Sequence, residues 1–210
     1  MMKLDDLPVL DVLPDIKSAL SNQRSAILIA PTGAGKTTAV ALQLLREEWL
    51  AGNKIIMLEP RRLAARTAAR RMAASLGEPV GKTIGYRMRF DTKVSVNTKI
   101  EIVTEGVFQR MIVDDPERVG GGCIIFDEFH ERSLDADFGL ALTLDVMDAL
   151  RDDLRLLIMS ATLDGDRVSS FLNDAPVIES KGRMHPVDIQ YLPRRADQRI
   201  EDAMANAIRK

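Results

Sequence analysis

The stretch Ala30-Pro31-Thr32-Gly33-Ala34-Gly35-Lys36-Thr37 follows an apolar run, Ala26-Ile27-Leu28-Ile29, and precedes Val40, Ala41, Leu44, Leu45 and Leu50 at helical spacing. The apolar run reads as a buried strand. The periodic segment reads as a helix from Thr38 to Leu50, with Gly52 as its stop. Strand, glycine loop and helix form the context of a phosphate-binding loop. Gly33 and Gly35 let the backbone aim its N–H groups at one point without a Cβ in the way. The helix start adds partial positive charge there. Lys36 then reaches the β- and γ-phosphates, and the Thr37 hydroxyl can ligate Mg²⁺. Thr32, Gly33, Ala34, Gly35, Lys36, Thr37 and Thr38 are therefore the candidate nucleotide-binding residues. Ala30 stands where such loops usually carry their first glycine.

Working outward, the 210 residues suffice for one large domain with a real core. Hydrophobic residues at 46% and charged residues at 29% are ordinary for a globular protein. A net charge of −2 gives no signal for nucleic acid, but its distribution does. Residues 59–90 hold eight basic and two acidic side chains, whereas residues 127–137 hold five acidic and one basic. Separated patches of opposite sign suit a phosphate site and a metal site. The single cysteine, Cys123, excludes an internal disulfide and a cysteine metal cluster, and its place in an apolar strand predicts a buried thiol. No apolar run approaches the roughly 18 residues a membrane span requires. Asp5, Asp6 and Asp11 argue against a signal peptide, so the expected location is cytoplasmic.

Other apolar runs punctuate the chain. Lys54–Glu59, Lys99–Thr104, Cys123–Phe126 and Leu156–Met159 read as strands, with Gly85–Phe90 as a short strand or hairpin arm. Val177-Ile178 and Val187–Tyr191 read as late strands. Helices are predicted near Pro14–Leu20, over Arg61–Leu76 with Ala65, Ala68, Ala69, Met72 and Leu76 as its apolar stripe, after Glu105-Gly106, over Leu134–Leu150 and roughly over 165–173. The stripe Ile200, Ala203, Met204, Ala207, Ile208 reads as a helix that stops uncapped at Lys210, as in a chain cut from a longer one. Buried strands alternating with helices define an α/β fold with a mostly parallel sheet and helices on both faces. Ligands collect at the carboxyl ends of such strands. Those ends are Ala30, Glu59, Thr104, Asp127 and Ser160.

Their chemistry is consistent. Asp127, closing a buried strand, can hold Mg²⁺ through its water shell together with Thr37. Glu128, pointing differently, can orient the attacking water. His130 is placed to position or couple rather than to ligate, with the hydroxyls of Ser160 and Thr162 on a neighbouring strand end. Arg61 and Arg62 begin a helix at the same edge and are candidates for phosphate contact. His185 precedes Pro186 in a loop and is given no role.

These motifs, taken in order, resemble the first RecA-like P-loop NTPase domain of a superfamily 2 helicase of the DEAH/RHA group. They are Ala30–Thr37, Glu59-Pro60-Arg61-Arg62, Thr104-Glu105-Gly106, Asp127–His130, Glu131-Arg132-Ser133 and Ser160-Ala161-Thr162-Leu163-Asp164. Gly85–Phe90 and Gly182–Val187 match two further segments of that group. Phe129 departs from the group's usual alanine, and Glu59–Arg66 with Gly85–Arg89 is similar to the bacterial HrpB-type ATP-dependent helicases. The resemblance implies that ATP and Mg²⁺ bind at Lys36, Thr37 and Asp127, and that Glu128 activates water. It implies that His130, Ser160 and Thr162 couple nucleotide state to strand movement. Arg61, Arg62 and Thr104 would touch the backbone of single-stranded nucleic acid, RNA favoured over DNA. Arg71, by its distance from Pro60, matches the arginine on which adenine stacks. It also implies that residues 1–195 form the ATP-binding domain, with 196–210 starting the link to a second RecA-like domain that supplies arginine fingers. That second domain of the same parent chain and the nucleic acid are the expected partners, with no membrane.

Two other readings follow from the same residues: a nucleotide switch that closes on a protein partner, and a translocase on DNA. No guanine-reading Asn-Lys-x-Asp is present. The basic 59–90 region favours a strand-binding motor.

Overall fold

The structure is a computed structural model and describes residues 7–117, 121–162, 165–182, 188–189, 191–192 and 197–209. Helix α1 (Leu13–Asn22) leads into strand β1 (Ser25–Ile29), which ends at the glycine loop. A π-helical turn over Lys36–Val40 then runs into helix α2 (Ala41–Leu44). Strand β2 (Ile55–Leu58), helix α3 (Arg62–Ser75), the hairpin β3 (Ile84–Met88) and β4 (Asp91–Lys93), and strand β5 (Ile100–Val103) follow. Next come helix α4 (Glu105–Asp114), strand β6 (Cys123–Phe126), helix α5 (Leu134–Ala149) and strand β7 (Arg155–Ser160). Helix α6 (Gly165–Phe171), strand β8 (Val177–Glu179) and helix α7 (Ile200–Ile208) complete the described chain.

The strands form one sheet in the order β4-β3-β5-β2-β6-β7-β1-β8. Every pairing is parallel except β3 with β4, an antiparallel edge hairpin. β2, β5 and β6 are buried at every position, which is why they read as unbroken apolar runs. One face of the sheet packs Leu28, Met57, Ile102 and Met159 against α1, α2 and α3 through Leu20, Leu44 and Met72. The other packs Ile56, Ile124 and Ile158 against Phe108, Ile112 and Leu140 of α4 and α5. At about 25 cal/mol per Å² of apolar surface, two covered faces supply the main drive to fold. Burial pushes the free Cys123 thiol up to about 12, the inert state expected of it.

Three details differ from the sequence reading. The helix predicted to Leu50 breaks after Leu44, and Glu48–Leu50 forms a separate 3₁₀ turn. On an unbroken helix Leu50 would lie about 120° round from the buried Leu44, by the 3.6-residue period. The break turns Leu50 inward to 1% exposure. Leu76 leaves the buried stripe of α3 and is 43% exposed at its C-cap. Asp188 and Ile189 lie in neither helix nor strand, and the remainder of that late strand except Tyr191, itself in neither, is outside the described residues, as are Leu163, Asp164 and His185. No described helix is long and apolar enough to cross a membrane.

Candidate functional site: a phosphate loop and a basic groove on one sheet edge

The carboxyl edge of the sheet divides in two. β1, β7 and β6 present the glycine loop, Ser160–Thr162 and Asp127–Glu131. β2, β5 and β3 present Glu59–Arg62, Thr104-Glu105 and Arg89-Phe90. β7 lies between β1 and β6, so loop and carboxylates start two strand spacings apart, roughly 10 Å. Their side chains close that gap.

Gly33 and Gly35 take φ of +83° and +94°, the left-handed conformations for which the loop needs glycine. A Cβ on Gly35 would also come within 2.8 Å of the Leu7 side chain. Leu7 and the Val9 N–H, which donates to the Ala34 carbonyl at 3.2 Å, brace the loop from outside. Lys36 is 4% exposed, and its Nζ donates to the carbonyls of Ala30 at 2.6 Å and Pro31 at 3.5 Å. Thr37 Oγ1 donates to Asp127 Oδ2 at 2.5 Å. A cavity of about 230 Å³ is lined by the loop together with Thr38, Arg71, Glu128 and Leu7. Arg71, reached from α3, thus faces the same space as the loop. Ala34 instead is buried behind it, with its N–H donating to the Pro31 carbonyl.

Asp127 is buried, and burial raises its carboxyl to about 6 against the opposing pull of the Thr37 hydrogen bond and Lys36. Its Oδ1 accepts the Glu128 N–H at 2.9 Å. Glu128 sits at φ +50° and lines the cavity. His130 Nδ1 accepts the Ala161 N–H at 3.3 Å and lies 3.4 Å from Glu128 Oε2. The contact from β7 therefore comes from the backbone between Ser160 and Thr162. The Ser160 hydroxyl donates to the Thr162 carbonyl at 3.2 Å.

On the basic half, Arg61 pairs with Glu131 at 2.9 Å, and Arg62 donates to the Arg89 carbonyl at 2.9 Å. Thr104 lines a groove of about 920 Å³ with Arg87, Arg89, Phe90 and Arg110. Phe90 is 91% exposed, with the Arg89 guanidinium 4.9 Å above its ring. Sequence reading missed Arg89, Phe90 and Arg110, although Arg89-Phe90 ends an alternating strand.

It also missed Glu59. Burial first, then the charges of Asp127, Glu128 and Glu131, raise its carboxyl to about 8. The folded chain therefore holds a proton here that the unfolded chain releases above its ordinary value of 4.5. Stability from this group is full below 4.5 and lost as pH rises through about 8. Glu59→Gln, the shape of the protonated acid, is expected to raise the melting temperature of the magnesium-free chain at pH 9 and to leave it unchanged at pH 5. Equal effects at both pH values would remove the neutral buried acid.

A parallel sheet that gathers a glycine loop, a buried lysine and a hydroxyl–carboxylate pair at one edge defines a P-loop nucleotide-binding domain of the RecA-like kind. Within that class the chain belongs to the DEAD/DEAH box helicase family, whose sequence model matches residues 13–171. It is 56% identical over 204 residues to the ATP-dependent RNA helicase HrpB of Escherichia coli (strain K12), covering 97% of this chain and 25% of that protein. It is 40% identical over 193 residues to the ATP-dependent RNA helicase HrpA of the same organism, covering 90% of this chain and 14% of that protein. The fold superposes on the crystal structure of the Escherichia coli DEAH/RHA helicase HrpB with a TM-score of 0.88, at 56% identity, over 97% of this chain and 26% of that one. The chain thus spans a quarter or less of the length of these curated relatives.

Proposed function

We propose that this chain is the ATP-binding half of an ATP-dependent helicase that couples hydrolysis to movement along single-stranded nucleic acid, RNA favoured. The observation that carries the reading is the contact of Asp127 with Thr37, which lines a cavity shared with the glycine loop, Arg71 and Glu128. ATP would bind there with Lys36 and the loop N–H groups on its phosphates and Arg71 under the base. Mg²⁺ would be held by the Thr37 hydroxyl and Asp127. Among the described residues no three His, Cys, Asp or Glu gather to hold a metal, so its other positions would fall to water and the phosphates. When bound, it neutralises charge developing on the phosphates.

Glu128 takes the proton of the attacking water, and His130, whose Nδ1 accepts the Ala161 N–H, ties the turn that follows Glu128 to β7. Thr38 supports the loop from the first helical turn, and Ser160 and Thr162 carry the change at β7 toward a second domain. Residues 1–195 form the ATP-binding domain and 196–210 begin the link to that second RecA-like domain of the parent chain. The fragment alone is expected to bind ATP and hydrolyse it slowly, because an arginine finger supplied in trans is worth about 10³–10⁵ in rate. A cytoplasmic location fits this role.

The strand would cross β2, β5 and β3, with Arg61, Arg62 and Thr104 on its backbone and Arg89-Phe90 and Arg110 along the groove. Arg61→Ala with Arg62→Ala is expected to weaken strand binding and to flatten its dependence on salt by about 0.7 for each phosphate no longer neutralised. An unchanged slope would place both arginines in solvent. The reading as a whole is tested by steady-state ATP hydrolysis of the complete parent chain, with and without single-stranded RNA or DNA. Stimulation by one of them supports a strand-dependent motor and names its substrate. Turnover indifferent to both supports the nucleotide switch.

A further inference from the structure

The Arg61–Glu131 pair joins the two halves of the sheet edge. Arg61 comes from the end of β2, on the half assigned to the strand. Glu131 closes the 3₁₀ turn Phe129–Glu131 that carries His130 and follows Glu128. That turn is bracketed by two non-glycine residues in the left-handed region, Glu128 at φ +50° and Arg132 at φ +48°. Side chains rarely adopt that conformation, so outside contacts must hold the turn in place.

Those contacts are identifiable. Phe129, 3% exposed, packs edge-on against Phe126 with ring centroids 6.0 Å apart and anchors the turn to the core. Arg132 pairs with Asp137 at 3.0 Å. Ser133 Oγ donates to Glu105 Oε2 at 2.8 Å, a second tie to the strand-binding half. Glu131 is tied by Arg61, whose side chain is 71% exposed. Glu131 stands in an acidic setting, near enough to Glu59 and Glu105 to push both carboxyls up. Arg61 is its counter-charge.

We infer that Glu131 is a built-in stand-in for a nucleic-acid phosphate at Arg61, so that strand binding displaces it and frees the turn bearing Glu128 and His130. This rests on the reading of Arg61 as a strand contact. A carboxylate and a phosphate present the same acceptor chemistry to one guanidinium. An exposed pair shifts an equilibrium by no more than about fivefold, so a phosphate can replace the carboxylate without a prohibitive cost. Once Arg61 turns to the strand, Glu131 keeps its acidic neighbours and loses its partner. The turn, no longer tied at Glu131, is then free to shift while Phe129 stays anchored. Glu131 is a positioning residue, acting on Glu128 through the turn.

The test uses Glu131→Gln in the full-length parent chain, read by single-stranded RNA affinity against salt and by ATP hydrolysis with and without RNA. Glutamine keeps the size and removes the charge. Affinity is expected to tighten about two- to five-fold, the exposed-pair range. The salt slope is expected to stay unchanged, because Arg61 neutralises the same phosphate, and releases the same condensed cation, with either residue at 131. The ratio of stimulated to strand-free hydrolysis is expected to fall, since the turn is no longer held back without RNA. In an Arg61→Ala background the same substitution should change neither affinity nor ratio. An unchanged affinity or ratio in Glu131→Gln, with Arg61→Ala still flattening the slope, overturns the stand-in and leaves Arg61 as a strand contact. A slope insensitive to Arg61→Ala as well overturns both.

Discussion

Lys36→Ala is expected to lose measurable nucleotide binding while the domain stays folded. The Lys36 ammonium is buried at 4% exposure, and its hydrogen bonds run to the Ala30 and Pro31 carbonyls. Neutral acceptors satisfy its N–H groups without neutralising its charge. A phosphate oxygen at the loop would do both, in a setting where low polarisability strengthens the attraction. Deleting one partner of a buried, hydrogen-bonded charge pair costs about 2–5 kcal/mol, or about 30- to several thousand-fold in Kd. Folding should tolerate the change, since alanine favours the helical turn that begins there and the substitution removes a buried charge held only by neutral carbonyls. Lys36→Arg is not expected to rescue binding, because a planar guanidinium does not fit a site shaped for a compact ammonium. Equilibrium titration with a fluorescent ATP analogue, beside a thermal melt, reads both effects. Binding within about threefold of the unaltered chain would take Lys36 out of the phosphate site.

Much of this architecture is legible in the sequence because the central strands are buried on both faces. Ile55–Leu58, Ile100–Val103 and Cys123–Phe126 need no alternating pattern to be recognised, and each ends in a polar residue that marks the ligand edge. The phosphate loop and Asp127-Glu128 are contiguous motifs, so their chemistry survives without a structure. Arg71 is different: its place opposite the loop depends on the pitch of α3 and was reached only through a family resemblance. What could not be read depends on strand order. Arg61 meets Glu131 because β2 lies beside β6, although β3, β4 and β5 intervene in the chain. The β3 end joins the Thr104 groove for the same reason. The broken helix after Leu44 reflects a tertiary demand, the burial of Leu50, that overrides local spacing. Leu7 was missed because nothing in its neighbourhood announces that it packs against Gly35.

Glu128→Gln is expected to lower kcat for ATP hydrolysis by about 10²–10⁴, the range for removing a positioned general base, with ATP affinity kept or improved. The position is constrained enough for the substitution to be clean. Glutamine adopts φ +50° no less readily than glutamate, and the backbone N–H bond to Asp127 Oδ1 does not involve the side chain. The carboxylate lies 3.4 Å from His130 Nδ1 and lines the cavity, so the amide keeps the volume and loses the proton acceptor. Removing a negative charge beside bound phosphates also relieves repulsion, which is why affinity should not fall. Asp127→Asn provides the contrast. Asp127 is buried against Thr37, and its carboxyl, raised to about 6, must give up its proton before it can act on a cation. Its loss should therefore appear as weaker magnesium-dependent binding and a higher KM as well as a lower kcat. The split between the two variants separates a base from a metal-holding carboxylate, which a generally loosened site would not do. If Glu128→Gln lowers kcat less than about tenfold, the water is activated elsewhere, and the left-handed turn at Glu128 serves only to cap β6.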